Sequence, residues 1–312
     1  MNQKGLTVPT SLILTLFTGI VFLLGMLVGK GQIRQVRMGP TYGNTIGLKS
    51  NHCANEKLYD NLDDALIEVG NVCKLDLSYR QLKEFPKNIF KLSHLVELAL
   101  DNNQLTSLPP EIGQLRDLQV LTIRNNQITS LPPELGNLVN LQVLSVRNNK
   151  ISEIPKEIRN LNQLRVIGVR DNQLASVPPE IGQLTNLTDL YLGNNHLKVL
   201  PVEIGNLRNL SVLSLADNEL SDLPNDFHVL TSLTILNVRH NRFSVFPPEI
   251  VSMINLKDVS LSDNPIDQYP PEIVQLKNLQ SLYLTHTNIA SVDIEQIKRL
   301  LPNTLVSTTD LE

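Results

Sequence analysis

The stretch Leu118–Ile128, LQVLTIRNNQI, decides the fold of this chain, because its pattern returns every 23 residues. Aliphatic side chains occupy its first, fourth, sixth and eleventh positions, and asparagine occupies the ninth. Ten copies open, 23 residues apart, at Val72, Leu95, Leu118, Leu141, Leu164, Leu187, Leu210, Leu233, Leu256 and Leu279. Self-similarity at such a fixed period is typical of arrays in which each repeat packs only on its neighbours.

The spacing L-x-x-L-x-L-x-x-N-x-L resembles the leucine-rich repeat template. The second half of the repeat strengthens the resemblance, with LPPEIG at 108–113, VPPEIG at 177–182 and LPVEIG at 200–205. These segments are similar to the L-P-x-E-I-G subclass of plant intracellular Ras-group-related, Ras-scaffold and many bacterial leucine-rich repeat proteins. The resemblance covers residues 72 to about 306. It implies an α/β solenoid with a concave parallel sheet that recognises a partner through its surface. The fold alone does not specify which function this recognition serves.

Within each repeat, the alternation of aliphatic and other residues predicts a short parallel strand. In the repeat that opens at Leu141, we expect Leu144 and Val146 to point inward. Val143 and Ser145 should then face the concave side. The adjacent prolines of residues 131–138 exclude a central strand there and favour an extended segment or a tight helical turn on the convex side.

The template asparagine is predicted to be structural, with its buried side chain bonded to backbone groups of neighbouring turns. This Asn ladder consists of Asn103, Asn126, Asn149, Asn172, Asn195, Asn218, Asn241 and Asn264. The first repeat has Arg80 at this position and the last has Thr287. Both departures fall at the ends of the array, where a neighbouring repeat is missing.

An apolar segment precedes the repeats, because residues 5–29 carry no charged side chain. A membrane-spanning helix needs about 20 apolar residues, so we expect residues 6–29 to form a single-pass transmembrane anchor. The alternative is a cleaved signal peptide, although Leu27-Val28-Gly29 is a poor cleavage site. The excess of Lys and Arg after the segment favours repeats in the cytoplasm, whereas a short N-terminus before such a segment favours their export.

The remaining boundaries follow from composition. Residues 1–29 form the anchor or signal, and residues 30–50 are polar and glycine-containing, which predicts a linker. Residues 51–71 should cap the first repeat, with a helix over 56–70, and residues 72–292 hold the repeats. Residues 293–312 should cap the far end, with a second amphipathic helix over 293–301.

Two cysteines, Cys53 and Cys73, bracket the predicted N-terminal cap. A disulfide often seals this end of a leucine-rich repeat array, and a loop of this length would stabilise the fold by about 3 kcal/mol in an oxidising compartment. The alternative is two unrelated free thiols.

The sequence excludes several kinds of function. A net charge of -4 and the absence of tryptophan argue against nucleic-acid binding. The chain has no glycine-rich phosphate loop, metal-ligand spacing or nucleophile elbow, so we expect no cofactor, no metal and no enzymatic activity. His240 and His286 share a register but lie two repeats apart, and we interpret them as surface residues. The sequons at Asn186 and Asn209 follow from the repeat consensus.

The candidate binding residues lie at the seventh position of the repeats. Arg124, Arg147 and Arg170 are consecutive there, about 5 Å apart, with Arg165 nearby and Arg239 further along. The row is either a solvated face, partly neutralised by aspartates, or a docking stripe for an acidic segment of a partner. Tyr191, beside the small residues Gly193 and Ala216, could seat a partner side chain.

The sequence therefore predicts a non-enzymatic, membrane-tethered module that binds a protein or peptide on its concave face. The alternative is a secreted or envelope protein with a structural or adhesive role. The pattern does not specify an oligomeric state.

Overall fold

The computed structural model describes residues 23–29, 32–37 and 57–309. The chain divides into two units, Met1–Lys49 with Leu311–Glu312, and Ser50–Asp310. The described part of the first unit is a β-hairpin. Its strand β1 (Leu23–Gly29) pairs antiparallel with β2 (Gln32–Arg37), and Gly29 lies opposite Gln32.

This hairpin corrects the prediction of an apolar helix that runs to residue 29. Residues 23–29 form a strand instead of the last turns of an apolar helix, and β2 falls within the predicted linker. A run of leucine, valine and methionine suits a strand as well as a helix, so hydrophobicity alone does not separate the two. The first part of the predicted anchor, residues 6–22, lies outside the described residues. In the described part of the chain, no helix has the length and apolar character needed to cross a membrane.

The second unit is built on a sheet of twelve parallel strands, each beside the next in sequence. Within the repeats, each strand covers the third to fifth positions of the template, and the register keeps equivalent positions opposite each other. The strands are β3 (Leu58–Tyr59), β4 (Lys74–Asp76), β5 (Glu97–Ala99), β6 (Val120–Thr122), β7 (Val143–Ser145), β8 (Val166–Gly168), β9 (Asp189–Tyr191), β10 (Val212–Ser214), β11 (Ile235–Asn237), β12 (Asp258–Ser260), β13 (Ser281–Tyr283) and β14 (Leu305–Ser307).

The convex return of each of the first nine repeats contains a short 3-10 helix, as the adjacent prolines favour. A proline usually precedes the helix and its carbonyl accepts the first turn's bond, as from Leu135 N to Pro132 O at 3.0 Å. These helices are Lys87–Lys91, Pro110–Gln114, Pro133–Asn137, Lys156–Asn160, Pro179–Gln183, Val202–Asn206, Asn225–Val229, Pro248–Ile250 and Pro271–Gln275.

The core runs along the array between the sheet and these helices. It consists of leucine, isoleucine and valine from every repeat, with Phe227, Phe243 and Phe246 in the later repeats. Leu144 and Val146 are buried in it, as the alternation predicts. Val143 and Ser145 lie on the opposite side of β7 and are buried as well. Val120 and Val166 flank Val143 in register on the neighbouring strands.

Both ends of the array carry a helix. The first, Leu62–Ile67, is shorter than the predicted 56–70, because Asn61 starts it by accepting a hydrogen bond from Asp63 N at 2.8 Å. Residues 58–59, which precede it, form β3 instead. The second helix, Ser291–Leu300, has Asp293 in its first turn and basic residues in its last, which suits the helix dipole. Beyond it, β14 extends the sheet by one strand.

Candidate protein-binding face

Three rows of side chains cross the concave side of the sheet, at the third, fifth and seventh positions of the repeats. Neighbouring members of a row are about 4.8 Å apart. The first row is Lys74, Glu97, Val120, Val143, Val166, Asp189, Val212, Ile235, Asp258 and Ser281; the second is Asp76, Ala99, Thr122, Ser145, Gly168, Tyr191, Ser214, Asn237, Ser260 and Tyr283; the third is Ser78, Asp101, Arg124, Arg147, Arg170, Gly193, Ala216, Arg239, Ser262 and Thr285.

The structure brings Arg124, Arg147 and Arg170 together in the third row and gives each one a carboxylate. Arg124 Nε donates to Asp101 Oδ2 at 2.9 Å, and its backbone N–H donates to Oδ1 of the same side chain at 2.6 Å. Asp171 accepts hydrogen bonds from Arg147 Nε at 2.8 Å and from Arg170 Nε at 3.3 Å. Three guanidinium groups thus meet two carboxylates, and the five side chains carry a net charge of +1.

These ion pairs differ in their surroundings. Asp101 is only 4% exposed, so Arg124 neutralises a buried charge. Burial raises the pKa of Asp171, but the hydrogen bonds from Asn194 and Arg147 outweigh it and hold that pKa below its ordinary value. We call Arg124, Arg147 and Arg170 the arginine row. With its two carboxylates, this row is nearly neutral and has only a small excess of positive charge.

The other two candidate arginines do not join this group. Arg165 is exposed at the second position of its repeat. Arg239 lies three strands beyond Arg170 and pairs with a different carboxylate, because its Nε donates to Asp263 Oδ2 at 2.6 Å.

Tyr191 lies beside a carboxylate that the sequence reasoning missed. The Tyr191 hydroxyl donates to Asp189 Oδ1 at 3.2 Å, and Thr188 Oγ1 donates to Asp189 Oδ2 at 2.6 Å. Burial raises the pKa of Asp189 in spite of these bonds. A carboxylate therefore accompanies the aromatic side chain at this point of the concave face.

A second half-buried carboxylate lies three strands further along the same row. Burial likewise raises the pKa of Asp258, although Ser281 and Lys257 favour its charged form. Two aliphatic residues separate the two carboxylates in register. We call this region the carboxylate patch and define it as Asp189, Val212, Ser214, Ile235 and Asp258. The sequence could have indicated these two aspartates, because valine or isoleucine occupies the third position in five other repeats.

The eighth position forms a further row at the edge of the concave face. All ten of its residues have a positive φ, between 51° and 59°. Asn, Asp and His tolerate this conformation best among residues with a Cβ, which explains the composition of the row: Tyr79, Asn102, Asn125, Asn148, Asp171, Asn194, Asp217, His240, Asp263 and His286. Several neighbours bond to each other, as in Asn125 Nδ2 to Asn102 Oδ1 at 2.8 Å. His240 and His286 likewise contact Asp217 and Asp263, so both lie in this edge row.

The template asparagines link neighbouring repeats through backbone groups, and all eight are buried. Asn172 is representative. Its Nδ2 donates to the carbonyls of Val146, Val169 and Arg170 at 3.0–3.1 Å, and its Oδ1 accepts from Ile151 N at 3.0 Å. One side chain thus contacts the backbone of two successive repeats.

A second set of asparagines bridges the convex side. Asn186 Nδ2 donates to Asn162 O at 2.7 Å, and Asn209 Nδ2 donates to Thr185 O at 2.8 Å. Both asparagines are the first residues of the two sequons described above. Their amide nitrogens make repeat-to-repeat bonds, which gives the sequons a structural reason.

Two of the sequence predictions concern cysteines and metal ions. Cys73 is buried and disulfide-bonded. Cys53, its predicted partner, lies outside the described residues, so that pairing stays a prediction. Within the residues that the structure describes, His, Cys, Asp and Glu do not form a group of three that could hold a metal ion.

Comparison with protein families identifies the repeats. Residues 69–146 and 133–197 match a profile described as a leucine-rich repeat region, and residues 185–243 and 231–289 match one described as leucine rich repeat. The chain is a leucine-rich repeat protein. No curated protein matches it.

Solved structures share the fold. The leucine-rich repeat ectodomain of the Arabidopsis thaliana membrane receptor kinase GASSHO1/SCHENGEN3, in complex with Casparian strip integrity factor 2, is 30% identical with a TM-score of 0.63. That match covers 77% of this chain and 33% of the ectodomain. A TDR receptor is 26% identical, with a TM-score of 0.62 and coverage of 82% and 50%. An internalin of Listeria monocytogenes, 20% identical with a TM-score of 0.65 and coverage of 82% and 78%, shows the fold alone. The chain thus spans half or less of the two receptors.

Proposed function

We propose that this chain is a non-enzymatic module that binds a protein or peptide partner on its concave face. The observation that carries the proposal is the arrangement of charged and aromatic side chains on a continuous parallel sheet. Arg124, Arg147, Arg170 and Tyr191 lie on strands or strand ends whose backbones bond to both neighbours. Arginine and tyrosine are common anchors of protein interfaces, and a preformed surface loses little conformational entropy on binding.

The structural neighbours support this proposal. The Arabidopsis ectodomain is a receptor structure in complex with a named factor, and it shares 30% identity with this chain over the repeats. The convex L-P-x-E-I-G signature favours the subclass named in the sequence analysis, whose members serve many partners. The small positive excess of the arginine row suits an acidic segment of the partner.

A charge-reversal pull-down tests the arginine row. Arg147→Glu/Arg170→Glu is compared with Arg159→Glu/Arg208→Glu, which makes the same charge change at exposed convex residues. Arg124 is left in place because Asp101 is buried against it. A partner retained by the wild type and the convex variant, but lost by the concave variant, supports the proposal. Equal retention by both variants, once both are shown to fold, contradicts this role for the arginine row.

For location, we propose that the apolar segment that precedes β1 tethers the chain to a membrane and that the repeats occupy an oxidising compartment. The disulfide at Cys73 supports that compartment, since disulfides persist where the environment is oxidising. The alternative is a secreted or envelope protein from which the segment has been removed. Intact mass of the native protein separates the two, because retention of residues 1–29 supports the tether and their loss supports the alternative.

A further inference from the structure

The carboxylate patch differs from the arginine row because its charges have no counterion among the described residues. Asp101, Asp171 and Asp263 each pair with an arginine. Asp189 and Asp258, in contrast, accept hydrogen bonds from hydroxyl groups, and neither forms an ion pair with any residue that the structure describes. Lys257 is near enough to favour the charged form of Asp258 but stays beyond ion-pair distance.

Such half-buried carboxylates carry an energetic cost. Burial outweighs the hydrogen bonds and raises the pKa of both groups. A carboxylate that remains charged at neutral pH under these conditions gains from a cation that replaces the lost solvation. The fold itself gains nothing from these two charges.

Ser214 adds a buried polar group to the same patch, and Ser145 at the equivalent position of β7 is buried in the same way. The Ser214 side chain is 2% exposed, and its Oγ has no hydrogen-bond partner within the described part of the chain. It lies between Tyr191 and Asn237 in register, on the same side of β10 as Val212. Its neighbour in the third row is Gly193, which has no side chain that could form a hydrogen bond with Ser214 Oγ. A buried hydroxyl without a partner is uncommon in a native protein and calls for an explanation.

We propose that the carboxylate patch binds a basic, extended segment of a protein partner. One ammonium or guanidinium group pairs with Asp189 and a second pairs with Asp258. A polar group of the segment between them bonds to Ser214 Oγ, and an aliphatic side chain packs on Val212 and Ile235. This inference rests on the proposed function and specifies the chemistry of one part of the partner.

The spacing of the patch defines the segment. Asp189 and Asp258 are three strands apart, which corresponds to about 14 Å. An extended peptide advances about 3.3 Å per residue, so residues four apart lie about 13 Å from each other. In an extended segment, such residues point to the same side, and so does the residue midway between them. The matching pattern is basic-x-aliphatic-x-basic, laid across the strands.

Calorimetric titration of the full chain with synthetic peptides tests the inference. The probe is an acetylated and amidated nine-residue peptide, Gly-Ser-Lys-Ser-Leu-Ser-Lys-Ser-Gly, and its control has glutamate in place of both lysines. The variant Asp189→Asn/Asp258→Asn removes both charges. The control variant Asp222→Asn/Asp226→Asn makes the same charge change at exposed convex residues.

We expect the wild type and the convex variant to bind the lysine peptide at least tenfold more tightly than the glutamate peptide. Asp189→Asn/Asp258→Asn should lose at least tenfold in affinity for the lysine peptide. Equal binding of this peptide by the two variants, no preference over the glutamate peptide, or no binding by the wild type overturns the inference. If the pull-down still finds a partner that depends on Arg147 and Arg170, only this inference fails. If neither experiment shows dependence on the concave face, the proposed function fails with it.

Discussion

At the residue scale, one buried amide stabilises two repeats at once. Asn172 donates to three carbonyls and accepts from the backbone N–H of Ile151. Asn149 and Asn195 also donate to two of these carbonyls, so the loss of Asn172 falls mainly on Ile151 N. We expect Asn172→Ala to lower the free energy of unfolding by about 1–3 kcal/mol, because a buried backbone N–H loses its partner. Urea unfolding measures this loss, with Asn186→Ala as a convex control whose bond is exposed. An unchanged midpoint for Asn172→Ala would disprove the structural role of the ladder.

Two aspartates of the concave face should affect stability in opposite directions. The pKa of Asp189 is raised in the folded state, so its cost is absent below about pH 3.8 and fully present once the pH exceeds the folded pKa. The pKa of Asp171 is lowered, so its stabilisation is present above about pH 3.8 and is lost as the pH falls through the folded pKa.

Thermal unfolding at two pH values tests this difference. At pH 7, Asp189→Asn should raise the Tm and Asp171→Asn should lower it, and both differences should shrink towards pH 3. A lower Tm for Asp189→Asn at pH 7 would contradict the account of its burial. A raised Tm would mean that Asp189 is kept for a purpose other than stability.

At the element scale, close packing against the next repeat leaves no room for a side chain at Gly136 in the convex 3-10 helix Pro133–Asn137. A Cβ on Gly136 would lie 2.6 Å from Glu157 O, a backbone atom of the next repeat. On the sheet, a Cβ on Gly168 would meet nothing closer than Ser145 Oγ at 3.4 Å. We therefore expect Gly136→Ala to destabilise the protein by about 1–3 kcal/mol and Gly168→Ala to change little. Urea unfolding compares the two, and equal midpoints would show that the helices can separate without cost.

At the N-terminal end of the array, we expect a disulfide to stabilise the cap. Cys73 lies at the start of the first repeat and is disulfide-bonded. Closing a loop of about 20 residues to Cys53 should stabilise the fold by about 3 kcal/mol. Reduction, or Cys73→Ser, should therefore lower the Tm, and hydrogen exchange should rise first around β3 and β4. Unaltered exchange in these strands after reduction would exclude such a role for the disulfide.

At the scale of the whole molecule, the 23-residue period predicted the solenoid, the strand positions and the convex turns, because each depends on a side-chain pattern repeated ten times. The arginine row was predictable for the same reason. Partial neutralisation by aspartates was also expected, but the exact pairs were not, since the ion pair of Arg147 with Asp171 joins different positions of adjacent repeats. Asp189 and Asp258 were missed because each interrupts an aliphatic position only once. Residues 23–29 have no period, so composition alone favoured a helix where the structure has β1.

Recognition on the concave face is the central claim, and site-specific photo-crosslinking tests it most directly. A benzophenone amino acid is placed at Tyr191 on the concave face in one version of the full chain. In a second version it is placed at Val202, which is 62% exposed on the convex side. After irradiation in native extract, the account predicts a discrete adduct from position 191 and none from position 202. Adducts from position 202 alone, or the same adducts from both positions, would contradict it.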